Sequence, residues 1–107
     1  MTKKEQTDFL SVIRDKVKDV NPEAKVILYG SRARNQASKD SDWDILIIVP
    51  EMLDLEVEKK YSYPLYELEW QRGEVISVLV TSVKDWDNPV FQFTSLYQNV
   101  KAEGVVL

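Results

Sequence analysis

The sequence predicts an α/β domain. Three observations carry this: a helical pattern from Thr7 to Val20, apolar runs at Lys25–Tyr29 and Ile45–Val49, and a strand-like run at Glu74–Val80. In the first element Phe9, Ile13, Val17 and Val20 recur three or four positions apart with charged residues between them, which gathers the apolar side chains on one helical face. Asn21-Pro22 ends the helix, since Pro22 has no amide proton to donate and biases Asn21 away from helical angles. Lys25-Val26-Ile27-Leu28-Tyr29 then forms a short strand that stops at Gly30-Ser31. Arg32 to Gln36 is expected to make a single helical turn with Ser31 at or near its N-cap, and Ala37 to Ser41 to be a polar loop.

Ile45-Leu46-Ile47-Ile48-Val49 is continuously apolar and mostly β-branched, as a central strand covered on both faces should be, and Pro50 terminates it. In Glu51–Arg72, Leu53, Leu55 and Val57 fit one helical or extended piece, while Leu65 and Leu68 with Glu67 and Glu69 fit a helix restarting after Pro64. Gly73 precedes the third strand, Glu74–Val80. Val90 to Ala102 carries Phe91, Phe93, Leu96, Tyr97 and Val100 at helical spacing, and Glu103-Gly104 stops it before an extended Val105-Val106-Leu107. No internal repeat or low-complexity tract interrupts the chain.

With 107 residues the chain is expected to be one domain, long enough for a single core but too short for a second, substrate-holding unit. Any large substrate would then be held by another protein. Hydrophobic residues make up 44% and charged residues 30%, a balance expected of a soluble globular protein and not of a disordered tail or a membrane span. No apolar run approaches bilayer length, no signal core follows Met1-Thr2-Lys3-Lys4, and there is no cysteine, so a cytoplasmic location is expected. The net charge of -4 denies the chain the basic field that supplies general affinity for DNA or RNA, so long nucleic acid is not an expected ligand. Lys25, Arg32, Arg34 and Lys39 nevertheless stand in or beside one motif, where they can offset the charge of a small anion.

That motif joins two strands. The first strand ends in Gly30-Ser31, ten residues follow, and Asp42-Trp43-Asp44 opens the second. A Gly at a strand end permits a sharp turn and close approach to a ligand, and the Ser adds a hydroxyl and an amide for phosphate oxygens. Residues two apart on a strand point the same way, so Asp42 and Asp44 can reach one hard cation while Trp43 points to the other face. An Asp pair alone would be read as solvated charge at a strand entrance, and Ser31 alone as a helix cap; linked at this spacing they read as a site for a magnesium nucleotide.

Gly30-Ser31-Arg32-Ala33-Arg34 with Asp42 and Asp44 resembles the minimal nucleotidyltransferase family of the polymerase-beta-like superfamily. The resemblance covers most of the chain. It implies a two-layer α/β (α+β) domain, a small mixed sheet with helices mainly on one face. It further implies transfer of a nucleotidyl group, adenylyl foremost, from ATP or another nucleoside triphosphate to a hydroxyl on a separate acceptor. Asp42 and Asp44 would be the catalytic residues and hold Mg2+ or Mn2+, Gly30 and Ser31 would grip the β and γ phosphates, and Arg32 or Arg34 would add a charge-assisted contact. Minimal members are often paired with small helical proteins of the HEPN class, as antitoxin with toxin, and a tyrosine of the partner can be the acceptor.

Two positions depart from the family pattern. Active members carry a third acid in the middle of the next strand, where this chain has Ser77, a poorer ligand for a hard cation and no carboxylate base. Glu74, the one acid on that strand, would face opposite to Ser77 unless a bulge intervenes. This loss supports a competing reading, a nucleotide-binding or antitoxin-like module that acts by binding a helical partner. Asn35 stands where the family often has Gly, a tolerable exchange because Asn accepts left-handed angles. Trp43, Trp70 and Trp86 are expected in or near the core; for Tyr61, Tyr63 and Tyr66 around Pro64, packing of the segment is expected ahead of an exposed aromatic patch for a partner or a nucleobase.

Overall fold

A computed structural model describes residues 1–107. The elements are α1 (Lys3–Val20), β1 (Lys25–Tyr29), β2 (Trp43–Val49), α2 (Leu55–Arg72), β3 (Ile76–Ser82), α3 (Val83–Trp86), a 3-10 turn (Phe91–Phe93), α4 (Ser95–Glu103) and β4 (Val105–Val106). The strands form one mixed sheet in the order β3-β2-β1-β4. β1 is antiparallel to both β2 and β4, and β2 is parallel to β3, with α2 as the crossover that a parallel pair requires.

Alternation along the strands divides the core. Val26 and Leu28 of β1 and Trp43, Ile45, Ile47 and Val49 of β2 face one side, where Phe9, Ile13 and Val17 of α1 and Tyr61, Leu65 and Leu68 of α2 cover them. Ile27, Leu46 and Ile48 face the other side, under a smaller cover from Trp86 and Val100. The two long helices therefore form one layer on the sheet, and β2 is buried on both faces, as its unbroken apolar run requires. No helix is long and apolar enough to cross a membrane.

Several sequence expectations need correction. α1 starts at Lys3 rather than Thr7, because Thr2 and Glu5 form a reciprocal capping box. α2 does not restart after Pro64: it runs unbroken from the Asp54 N-cap to Gly73, whose φ of 65° closes it in a left-handed cap. β3 begins at Ile76, two residues after Glu74, and continues to Ser82. The helix expected over Val90–Ala102 is divided into the 3-10 turn and α4, with Thr94 as the α4 N-cap, and α3 was not foreseen. Trp43 and Trp86 are buried, but Trp70 is 89% exposed, because α2 turns Tyr61, Leu65 and Leu68 toward the sheet and Trp70 away from it. Tyr63 and Tyr66 lie exposed with Trp70 rather than packed around Pro64.

Candidate functional site

β1 delivers the chain to a left-handed Gly30, φ 76°. The Gly30 carbonyl then accepts the amides of Ala33 and Arg34 at 3.1 and 3.2 Å, and Ser31 accepts from Gln36 at 2.9 Å. Asn35 completes the reversal at φ 58°, the left-handed angle its side chain tolerates. Residues 31–35 are thus a compact set of turns and not the expected helical turn, and the Gly30 carbonyl, not a Ser31 cap, organises them. The Ser31 and Arg32 amides keep no hydrogen-bond partner within the chain.

The need for Gly30 is also tertiary. A side chain there would run into the Asp44 carboxylate, whose Cγ would lie 3.1 Å from an added Cβ. The turn and the second Asp are therefore in direct contact across the β1–β2 pair, where Tyr29 is the register partner of Asp44. Asp44 is half-buried, and Asp42 is exposed just before β2. Ser77 of β3 is in parallel register with Asp44 and donates its hydroxyl to Asp42 Oδ2 at 3.3 Å, which ties both Asp residues to the same side of the sheet. Partial burial and the Asp42 charge push the Asp44 carboxyl above its ordinary range; Arg34 opposes this and Glu103 adds to it. Burial first, and then Asp44, raises the Tyr29 hydroxyl.

The two arginines go to different faces. The Arg32 guanidinium stacks on the Trp43 ring at 3.9 Å and donates to the carbonyls of Ser41, at 2.8 and 3.1 Å, and Lys39, at 3.3 Å. It clamps the loop before β2 on the α1 side of the sheet. Arg34 instead turns to the Asp44 side and donates to both carboxylate oxygens of Glu103, at 2.9 and 3.0 Å. Lys25 opens β1, at the end opposite Gly30. Glu74 accepts from the Trp43 indole at 3.3 Å, so its carboxylate serves the face away from the Asp pair.

A family model described as "Nucleotidyltransferase domain" matches residues 10–104. The chain belongs to the nucleotidyltransferase domain family. Among solved structures, a toxin-antitoxin crystallised with AMP-PNP is similar at TM-score 0.64 and 18% identity, covering 90% of this chain and 69% of its own. A tyrosine-to-alanine mutant of the toxin-antitoxin MntA-HpeT is similar at TM-score 0.60 and 19% identity, with coverages of 92% and 70%. A mutant of the same toxin-antitoxin with two aspartates changed to glutamate gives TM-score 0.60 and 15% identity, again with 92% and 70%. At these identities the likeness shows the fold. No curated protein matches the sequence.

In this nucleotidyltransferase domain Gly30, Ser31, Arg34, Asp42 and Asp44 come together, and Arg32 is directed elsewhere. The donor set offered to a cation is two carboxylates and the Ser77 hydroxyl, hard oxygen ligands of the kind Mg2+ takes. No cluster of three acidic, His or Cys residues is assembled as a metal cage. Sequence reasoning missed Glu103, which was read as a helix stop. Its only local signal is Gly104: a Cβ there would press on Ile27 Cγ2 at 2.9 Å, so Gly104 lets the end of α4 run tight against β1.

Proposed function

We propose that this nucleotidyltransferase domain binds a magnesium or manganese nucleoside triphosphate, ATP foremost, and transfers its nucleotidyl group to a hydroxyl on a separate acceptor. The observation that carries this is the contact between Gly30 and Asp44, which makes an anion-binding turn and a carboxylate pair one continuous surface. Transfer joins the acceptor oxygen to the α-phosphorus, breaks the bond to the β-phosphate bridging oxygen, releases pyrophosphate and frees the acceptor's proton. Asp42 and Asp44 would hold the cation, which supplies positive charge against that developing on the phosphate oxygens. The Gly30, Ser31 and Arg32 amides and the Arg34 guanidinium would bind and orient the triphosphate tail.

The acceptor is proposed to be a protein hydroxyl on a small helical HEPN-like partner, in a cytoplasmic toxin-antitoxin pair. The solved neighbours being toxin-antitoxin structures supports this. A second reading has its own observation. Ser77 stands beside Asp44 where a third acid would complete the site, which favours a module that binds nucleotide and partner with weak or no transfer.

Calorimetric titration of ATP with and without magnesium, on the native chain and on Asp42→Asn/Asp44→Asn, tests the site. Magnesium-dependent binding lost in the double variant is expected, and no binding by the native chain would refute the site. Labelled nucleotide incubated with the domain and its partner separates the readings. Label on the partner supports transfer, and binding without label supports the module.

A further inference from the structure

Glu103, the last residue of α4, reaches 73 positions back in sequence to the Gly30 turn. Its Oε1 accepts from the Gly30 amide at 3.3 Å and from Arg34 Nη1 at 2.9 Å, and Oε2 accepts from the same Nη1 at 3.0 Å. A backbone amide at a left-handed Gly and an arginine head are the donors a phosphate oxygen takes. Here a carboxylate of the protein has both. We propose that Glu103 is a built-in anion latch, which closes the phosphate-binding turn in the nucleotide-free protein and is displaced by the triphosphate tail.

Three features fit a latch better than a tie that merely fastens α4. Glu103 bonds the same Gly30 turn that lies against Asp44, so its carboxylate stands where a phosphate bound beside the Asp pair would have to go. The Glu103 side chain is 19% exposed and its Arg34 partner 42%, so the carboxylate covers the Gly30 amide while the arginine head stays open to an incoming anion. The segment after Glu103 is a short edge: β4 follows α4 at once, pairs with β1 through Ile27–Val106 and Leu28–Val105 with one further bond from the Leu107 amide to the Val26 carbonyl at 2.9 Å, and has both its residues exposed.

The inference rests on the nucleotide site proposed above, and its test separates the two. MgATP affinity is measured by calorimetry for the native chain, Glu103→Gln and Glu103→Asp, with thermal unfolding as a check that each folds. A latch closed about nine-tenths of the time weakens apparent affinity about tenfold, so both variants should bind about tenfold tighter. Glu103→Asp is decisive because it keeps the charge but shortens the reach. Tightening in Glu103→Gln alone would reduce Glu103 to a repelling charge and overturn the latch. Equal or weaker binding in both variants would overturn it while leaving the nucleotide site intact; no binding by any of the three chains would overturn both. Hydrogen exchange gives a second readout: MgATP should speed exchange at Gly104–Leu107 in the native chain while the Gly30 amide stays protected.

Discussion

Asp44 is held under an electrostatic load in the metal-free protein. Its carboxyl is raised by burial and by Asp42, so the stability linked to its proton is present at low pH and lost as pH rises through the raised value. Above that value the ionised group is a burden, and Asp44→Asn should leave stability in EDTA unchanged or raised, as urea denaturation would read. The same variant should lose magnesium-dependent nucleotide binding; a strong loss of metal-free stability instead would make Asp44 a structural residue. The arginines make a contrasting pair. Arg32→Ala removes a ring stack and the loop clamp and should cost about 1–2 kcal/mol of stability. Arg34→Ala loses a half-exposed ion pair and should cost less than about 1 kcal/mol, with its main effect on nucleotide affinity. Ser77→Asp would set a third carboxylate beside Asp44 and Asp42. It should lower metal-free stability and, if nucleotidyl transfer is limited by the missing acid, raise labelled-nucleotide incorporation about a hundredfold.

At the scale of elements, α2 is the clearest case of tertiary packing overriding a local signal. Pro64 inside a helix costs about 3 kcal/mol relative to Ala, which is why the sequence reads as a break there. The helix persists because Tyr61 and Leu65 at 0% exposure and Leu68 at 1% are buried against the sheet on both sides of the proline. Pro64→Ala should therefore stabilise the fold by about 1–2 kcal/mol after allowing for the looser unfolded chain, seen as a higher urea midpoint with unchanged slope. The start of α2 is fastened differently. Glu51 accepts a 2.6 Å hydrogen bond from the Tyr61 hydroxyl and a 2.6 Å ion pair from Lys60. Desolvation pushes the Glu51 carboxyl up, but Lys60 and Tyr61 outweigh it and hold it below its ordinary range. Burial, followed by the bond to Glu51, pushes the Tyr61 hydroxyl up to about 12. The stability from Glu51 is thus present at neutral pH and lost as pH falls through its lowered value. Glu51→Gln should flatten the acid limb of a stability–pH profile, the reverse of what Asp44→Asn does.

For the whole molecule, the division of the sheet into two faces decides what sits where. The α1–α2 face is filled by core side chains, and the Asp pair lies on the other, where α3 and α4 cover only part of the strands. A carboxylate pair on the crowded face would have been buried under helices; on the sparse face Asp42 stays exposed and Asp44 half-buried. On the outside of α2, Tyr63, Tyr66 and Trp70 are exposed, and nothing in the structure covers them.

The sequence by itself determined the α/β class, the strand–turn–strand unit and the candidate residues Gly30, Ser31, Asp42 and Asp44. These depend on short-range rules: apolar runs, a strand-ending Gly and the two-residue period that sets Asp42 and Asp44 on one side. The position of Ser77 in place of an acid was also legible, and the parallel register of β2 and β3 puts it beside Asp44. Only the tertiary structure decided that α2 runs through Pro64, that Arg32 stacks on Trp43 while Arg34 turns to Asp44, and that Glu103 closes the turn. Each of these depends on which face of the sheet a side chain meets and on contacts between residues far apart in the chain. Glu103 and Gly30 meet because β4 pairs with β1, and no local pattern announces that pairing.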